Sequence, residues 1–196
     1  MVDIFGQPYN VEAINAIAKK HNLIVIEDAA QAPGAKYKEQ FAGTLGDMGV
    51  FSLNYHKHIH SGEGGVIVTN DDTLANKLQL IRNHAESVMA NKGFSAPSEL
   101  VNMVGFNFRM TEMECAVARE QLKKLPSLLK TRQENVAYIN EALKSIPCLK
   151  TTTTRKDVEH AFYVHPLEFD AKMAGVHRDV FIKAVGTLFF VSSVTS

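Results

Sequence analysis

Three side chains with complementary chemistry lie close together in the first third of the chain: a carboxylate, a hydroxyl and a primary amine. Asp28 ends an aliphatic run, Ser52 follows an aromatic residue, and Lys57 precedes a glycine-rich turn at Gly62-Glu63-Gly64-Gly65. An amine can bond to the carbonyl carbon of a cofactor and move protons, and a carboxylate can keep a ring nitrogen protonated. A hydroxyl on a tight turn can donate to a phosphate. These residues in this order predict a site for pyridoxal phosphate.

The elements around Asp28 predict where it lies in a fold. Val11 to Lys20 has apolar residues at helical spacing, and His21-Asn22 is a C-terminal signal. Leu23 to Ile26 is a continuous aliphatic run, typical of a strand that is covered on both faces in a parallel sheet. Ligands of open α/β sheets bind at the carboxyl ends of the strands. Asp28 is therefore predicted to lie at a ligand-binding edge.

Strands and helices continue to alternate further along the chain. Gly49 to Leu53 and Gly65 to Thr69 are predicted as short strands, with Lys57 between them. Asp72 to Asn83 has helical periodicity, whereas the breakers within Ala85 to Val104 predict an irregular loop. The alternation favours the α/β class.

A long helix is predicted to open the second half of the chain. Thr111-Glu112-Met113-Glu114 is a capping-box pattern, and the helix runs toward Leu143 with a break or bend at Pro126. Beyond it, Ala161 to Leu167 is predicted as a strand and Asp179 to Val185 as a helix. The long helix is the expected bridge to a second, smaller α/β unit.

Composition disfavours several classes of partner. The 196 residues are 45% hydrophobic, which suits an ordinary globular chain. Lys plus Arg and Asp plus Glu number 21 each, so no excess charge favours nucleic acid or an anionic membrane. No apolar run approaches the length of a membrane span. Cys115 and Cys148 lack metal-ligand or redox spacing, so we expect free thiols and a cytoplasmic protein.

The alternating histidines His56, His58 and His60 suggest a different kind of site. In an extended strand they would share one face opposite Lys57, as metal ligands could. Three histidines two residues apart on one strand span too far to close easily around one ion, and no carboxylate or thiol follows at ligand spacing. We therefore expect no metal.

Four motifs in one order carry a resemblance to a known family. They are Glu27-Asp28-Ala29-Ala30-Gln31, Gly46-Asp47 to Phe51-Ser52, Lys57 with Gly62-Glu63-Gly64-Gly65, and Gly105-Phe106-Asn107-Phe108-Arg109-Met110-Thr111-Glu112. The chain resembles the DegT/DnrJ/EryC1/StrS aminotransferases. The resemblance implies an α/β, fold-type-I, aspartate aminotransferase-like transferase that uses pyridoxal 5′-phosphate. Residues 1–126 would be the C-terminal part of the cofactor-binding large domain, with a mostly parallel sheet. Residues 127–196 would hold the interdomain helix and the start of a small C-terminal α/β domain.

The resemblance also implies roles for five residues. Lys57 would bond to the cofactor and move the proton, and Asp28 would lie beside the pyridine nitrogen. Gln31 would contact the ring's oxygen substituent or stack near its face, and Ser52 would donate to the phosphate. Asn107 would reach the phosphate of the neighbouring subunit, which implies a homodimer whose two sites share residues.

The implied reaction moves an amino group, with glutamate as donor, to a keto group of a nucleotide-linked sugar in amino-sugar or polysaccharide biosynthesis. A dehydratase with the same cofactor is an alternative, because some relatives that dehydrate carry histidine at the lysine position. Counting eight residues back from Gly65 gives Lys57, which favours the transaminase. A protein that holds a sugar or cofactor without catalysis is the other alternative.

The resemblance implies a longer parent protein. Members of the family are substantially longer, and Phe5-Gly6-Gln7-Pro8 matches the middle of their large domain. The tail after Gly186 does not follow the family pattern. We therefore expect the chain to be a fragment that is weakly active or inactive by itself.

Overall fold

The computed structural model describes residues 1–85 and 103–194, with side chains described as far as residue 187. The chain forms two compact units. Residues 1–132 and 154–163 belong to unit 1, and residues 133–153 and 164–196 belong to unit 2. All five predicted site residues lie in unit 1. The loop expected over 85–104 falls almost entirely outside the described residues.

Unit 1 opens with a 3-10 turn at Ile4–Gly6 and helix α1 at Val11–His21. The side chain of Asn10 caps the start of α1, and Asn22 ends it in the left-handed conformation at φ 51°. The helix predicted over Val11 to Lys20 is confirmed.

Five short strands follow α1. They are β1 (Ile26–Asp28), β2 (Lys36–Tyr37), β3 (Gln40–Phe41), β4 (Met48–Ser52) and β5 (Gly65–Val68). β1 and β4 pair in parallel with Asp28 opposite Val50, and β4 and β5 pair antiparallel with Ser52 opposite Gly65. The three-stranded sheet is therefore mixed, whereas the sequence predicted a mostly parallel one.

The first strand differs from the prediction in position and in burial. It begins at Ile26 instead of Leu23, and Leu23, Ile24 and Ile26 are 59%, 60% and 51% exposed. The Leu23 amide donates to Ala18 O at the end of α1, and the Val25 amide donates to the Asp47 carboxylate. Because these groups bond outside the ladder, the first part of the aliphatic run is a connection. The predicted strand covered on both faces is wrong.

Both later helices of unit 1 that the sequence predicted are present. α2 occupies Asp72–Arg82, and the Asp71 side chain accepts a hydrogen bond from a first-turn amide. α3 occupies Glu112–Leu143 and continues through Pro126 without a break, so it passes from unit 1 into unit 2. In unit 1, Leu125 and Leu129 of α3 contribute to a core of small residues that includes Ala29, Ala32, Ala35, Ala42 and Ala161.

The predicted capping box forms at the start of α3. The Thr111 amide donates to Glu114 Oε2 at 2.8 Å, and the Glu114 amide donates to Thr111 Oγ1 at 3.3 Å. Replacing Thr111 with alanine should therefore raise the unfolding equilibrium constant by about fivefold, the usual cost of a lost N-cap. Urea denaturation measures this change. Thr111→Ser retains the hydroxyl and should stay near the wild-type value; equal losses in both variants would contradict the capping role.

The remaining elements are β6 (Leu149–Thr151), β7 (Val158–Glu159), β8 (Leu167–Phe169), α4 (Ala171–Ala174) and α5 (Arg178–Val194). In unit 2, β6 pairs antiparallel with β8, and the Phe169 and Phe181 rings stack with centroids 4.8 Å apart. In unit 1, β7 pairs antiparallel with β2. The helix predicted over Asp179 to Val185 is confirmed within α5.

The strand predicted over Ala161 to Leu167 is wrong. Phe162 is left-handed at φ 48°, and the Ala161 and Tyr163 amides donate to Gly6 O and Phe5 O, both at 2.9 Å. This stretch therefore bonds to the 3-10 turn and its neighbours instead of extending a sheet. Cys115 and Cys148 are free thiols, as expected. No helix among the described residues is long and apolar enough to cross a membrane.

Candidate functional site

Asp28 and Ser52 lie at the same edge of the three-stranded sheet. Asp28 ends β1 opposite Val50, and Ser52 ends the parallel strand β4 two residues later. Because side chains alternate along a strand, Asp28, Val50 and Ser52 share one face, and Glu27 lies on the other. Asp28 is exposed and Ser52 is half-buried, so this face is open at the strand ends.

The backbone and side chain of Asp28 are held by neighbouring main-chain groups. Its amide donates to Met1 O at 2.7 Å, its carbonyl accepts from the Asp3 amide at 3.0 Å, and Oδ1 accepts from the Ala30 amide at 3.0 Å. In the described part of the chain, no lysine, arginine or histidine forms an ion pair with it. The carboxylate can therefore accept a hydrogen bond from a cationic ligand group.

Lys57 lies in the turn between β4 and β5, and Asn54 organises that turn. The Lys57 amide donates to Asn54 O at 2.9 Å, and Asn54 Oδ1 accepts from the His56 amide at 3.1 Å. Asn54 Nδ2 donates to Glu63 Oε1 at 2.8 Å, which ties the start of the turn to its glycine-rich end. The lysine is thus presented by a turn that its own neighbours hydrogen-bond.

The half-buried Lys57 amine lies 4.7 Å from the centroid of the Tyr163 ring. Within the described residues it has no carboxylate partner. A ring face orients an amine by cation–π attraction while leaving its nitrogen available for bonding. The sequence analysis missed Tyr163, because an aromatic residue in an expected strand has no local signal that separates a site residue from a core residue.

His58, next to Lys57, is buried and neutral at physiological pH. Its Nε2 lies 2.8 Å from Ala161 O, and since a carbonyl only accepts, Nε2 carries the hydrogen. Burial lowers the pKa of His58, and the positive charges of Arg132 and Lys57 lower it further. A neutral imidazole avoids a second positive charge beside the lysine.

The interpretation of the three histidines as one face of a strand is wrong. They lie in the turn that follows β4, where His56 is exposed, His58 is buried and His60 is half-buried. The described residues contain no group of three histidine, cysteine or acidic side chains arranged to hold a metal ion.

Gln31 and Ser52 each keep a donor for a ligand. Gln31 Oε1 accepts from the Phe5 amide at 2.7 Å, which leaves its amide nitrogen to donate. Ser52 Oγ accepts from the Asn54 amide at 3.3 Å, which leaves the hydroxyl hydrogen to donate. Both side chains therefore suit oxygen atoms of a ligand.

Asn107 lies apart from this arrangement along the chain. It forms an antiparallel bridge with Asn83 at the end of α2, and its side chain is exposed. Among the described residues, no hydrogen bond joins Asn107 to the other four predicted site residues.

The groups present fit pyridoxal phosphate. Asp28 is an unpaired acceptor for a protonated ring nitrogen, Ser52 and Gln31 supply donors, and Lys57 supplies an amine without a carboxylate partner. The observation that decides the fit is the position of Asp28 and Ser52 on the same open face at neighbouring strand ends. Pyridoxal phosphate is a single flat ring that carries a phosphate. The Asp28 carboxylate and the Ser52 hydroxyl can contact the same molecule only if they lie on the same side of the sheet.

Solved structures define the class to which this fold belongs. An aminotransferase from Psychrobacter cryohalolentis is 35% identical and superposes with a TM-score of 0.74, covering 83% of this chain and 44% of that one. A mutant of GDP-4-keto-6-deoxymannose-3-dehydratase (ColD) with bound GDP-perosamine is 31% identical, with a TM-score of 0.81, covering 95% and 50%. The fold is that of the fold-type-I, pyridoxal-phosphate-dependent transferases.

The particular family follows from the sequence match. The chain belongs to the DegT/DnrJ/EryC1/StrS aminotransferase family, whose model matches residues 1–192. The spore coat polysaccharide biosynthesis protein SpsC of Bacillus subtilis is 34% identical over 92% of this chain and 47% of its own length. GDP-perosamine synthase of Caulobacter vibrioides is 35% identical over 95% and 48%. The chain thus spans about half the length of the curated relatives it matches.

Proposed function

We propose that this chain carries the lysine-bearing part of a site that transfers an amino group, with glutamate as donor, to a keto group of a nucleotide-linked sugar. The observation that carries the proposal is Lys57, presented by a hydrogen-bonded turn beside the edge that holds Asp28 and Ser52. Support comes from the family, whose members include a GDP-perosamine synthase and a polysaccharide biosynthesis protein.

Four of the five predicted residues would act in this mechanism. When bound, pyridoxal phosphate supplies an electron-accepting ring that stabilises negative charge on the carbon next to the transferred nitrogen. Asp28 would hold the proton on the ring nitrogen, while Ser52 Oγ would donate to the phosphate and the Gln31 amide would donate to a ring oxygen. Lys57 Nζ would bond to the cofactor at rest; once the donor amine had displaced it, the free amine would take the proton from the α carbon of the donor and return a proton to the sugar carbon.

The proposal extends to assembly, domains and location. We assign residues 1–126 to the cofactor domain and 127–196 to the interdomain helix and small domain. Asn107, exposed and without a hydrogen bond to the other candidates, would serve the site of a second copy in a homodimer. A cytoplasmic location is supported by the two free thiols.

A dehydratase that uses the same cofactor is the second candidate, and the similarity to GDP-4-keto-6-deoxymannose-3-dehydratase is the observation that favours it. The two candidates differ in the need for an amine at this position. Lys57 favours amino transfer, because a lysine can both bond to the cofactor and shuttle the proton back to the product.

Site mapping tests the proposal directly. The chain is incubated with pyridoxal phosphate, reduced with borohydride, digested and mapped by mass spectrometry. We expect the label at Lys57, with its loss in Lys57→Ala and its retention in Lys156→Ala, where an exposed lysine is removed. Equal labelling of many exposed lysines, unchanged in Lys57→Ala, would sink the assignment.

The reaction class needs a second readout. Incubation of the full-length protein with glutamate and a nucleotide-linked 4-keto sugar should yield a product whose mass corresponds to exchange of oxygen for an amine. A product that has lost oxygen without gaining nitrogen would establish the dehydratase instead.

Asp28→Asn should lower the rate of amino transfer by about 10- to 100-fold, the loss of one charge-assisted hydrogen bond. Asparagine keeps the size and the Ala30 contact but cannot neutralise a protonated ring nitrogen. The rate of the full-length protein at saturating cofactor measures the effect, and Asp157→Asn on the exposed connection before β7 is the matched control. Equal rates for Asp28→Asn and wild type would remove Asp28 from the site.

A further inference from the structure

Asp3 and Glu27 are two acidic side chains that are both 0% exposed. Each uses one oxygen to accept hydrogen bonds from backbone amides. Asp3 Oδ1 accepts from the Tyr9 amide at 2.9 Å, and Glu27 Oε2 accepts from the Leu45 and Gly46 amides at 2.8 and 3.3 Å. The two carboxyl groups thereby join three stretches of backbone.

The other two oxygens, Asp3 Oδ2 and Glu27 Oε1, are buried and have no donor in the described part of the chain. Val2 pairs with Asp28 in a parallel bridge, so Asp3 and Glu27, each one residue from that bridge, lie on the same face, and their carboxyl groups interact. Two carboxylates offer only acceptors, so this contact requires a proton. Burial, followed by the hydrogen bond and the charge of Glu27, raises the pKa of Asp3 to about 8. The pair therefore holds a proton at neutral pH.

Both members of the pair lie next to Asp28: Glu27 precedes it in β1, and Asp3 lies in the adjacent segment. Glu27 precedes Asp28 in β1 and points to the opposite face, while the Asp3 amide donates to Asp28 O at 3.0 Å. The Asp28 amide donates to Met1 O at 2.7 Å, and Val2 bridges to Asp28 in parallel. The buried pair therefore stabilises residues 1–3, the segment whose backbone bonds to that of Asp28.

We propose that Asp3 and Glu27 share one proton and act as positioning residues for Asp28. This inference rests on the proposed function only for the role of Asp28. The Met1 amino group acts on Asp3, and the Tyr9 hydroxyl lies close enough to be influenced by Glu27, Asp3 and Asp47. Burial and the charge of Glu27 raise the pKa of Tyr9 to about 12, so Tyr9 is neutral, and the amino group lowers the pKa of Asp3 without cancelling its rise.

The sign of the pH dependence follows from proton counting. In the unfolded chain Asp3 has the ordinary aspartate pKa of 3.8, whereas in the folded protein its pKa is about 8. Stability is therefore greatest at low pH and is lost as the pH rises through this window. One retained proton raises the unfolding equilibrium constant by up to about tenfold per pH unit.

The experiment measures urea unfolding from pH 4 to pH 9 for wild type, Glu27→Gln, Asp3→Asn and the control Glu39→Gln, whose side chain is 88% exposed. In the two isosteric variants an amide hydrogen replaces the shared proton. The rise in the unfolding equilibrium constant of up to about tenfold per pH unit should therefore be present in wild type and absent from both variants. The control should retain it. His58 titrates with the opposite sign in all four proteins and cancels in the comparison. Retention of the full slope in both Glu27→Gln and Asp3→Asn would overturn the shared proton.

Two spectroscopic readouts separate positioning from simple stability, and neither requires the cofactor. Infrared spectra at neutral pH should show a protonated carboxylic acid in wild type that is absent from Glu27→Gln. The ¹⁵N amide resonance of Asp28 should shift with a midpoint near pH 8 in wild type and stay constant in Glu27→Gln. An Asp28 resonance that ignores the titration of the pair would overturn the positioning role, whatever the outcome of cofactor labelling.

Discussion

Replacing Lys57 with arginine should lower amino transfer by on the order of 10²- to 10⁴-fold, the usual contribution of a positioned proton-transfer group. Arginine keeps the positive charge and can lie over the Tyr163 ring, 4.7 Å from the native amine. Its guanidinium does not deprotonate in proteins, so it can neither bond to the cofactor carbon nor accept the substrate proton. The rate of glutamate-dependent amination by the full-length protein at saturating cofactor measures the loss.

The controls for Lys57→Arg separate chemistry from folding. Lys156→Arg changes an exposed lysine in the same unit and should leave the rate unchanged. Urea denaturation should give Lys57→Arg a stability close to that of wild type, because its native amine forms no ion pair among the described residues. A Lys57→Arg rate within twofold of wild type would show that another group moves the proton.

Local signals predicted the elements whose ends are set by neighbouring residues. Asn22 in the left-handed conformation and the Thr111–Glu114 box both act within one turn of the helix they delimit. The edge of the sheet could also be predicted, because Glu27-Asp28 follows an aliphatic run. Capping and periodicity are local in sequence, and the structure reproduces them.

Tertiary contacts decided the features that the sequence could not predict. Ala161 to Leu167 has strand composition, but its backbone bonds to Gly6 and Phe5 near the start of the chain. Asp3 has no local sign of burial, since aspartate is usually exposed, yet it is 0% exposed beside Glu27 and accepts from the Tyr9 amide. Tyr163 approaches Lys57 across a large sequence separation. Each of these contacts joins residues that are far apart in sequence, so it can be recognised only in the folded structure.

Gly49→Ala should destabilise unit 1 by about 3 kcal/mol or more, because the new methyl group would overlap with backbone instead of a movable side chain. A Cβ built on Gly49 lies 1.8 Å from Gly43 O and 2.5 Å from Gly43 C. Gly43 cannot easily give way: its φ is +86°, and its own Cβ position is 2.1 Å from the Phe51 ring. The two glycines therefore allow β4 to pass against the preceding turn.

The consequence of Gly49→Ala for function follows from the position of β4, since any displacement of this strand also moves Ser52 at its carboxyl end. Urea denaturation measures the loss of stability, and Gly65→Ala on the neighbouring strand is the matched control. A Cβ on Gly65 meets only Phe51 O, at 3.4 Å, so that variant should stay within about 0.5 kcal/mol of wild type. If both alanine variants had the same stability, the close approach of Gly49 to Gly43 would not constrain the strand that carries Ser52.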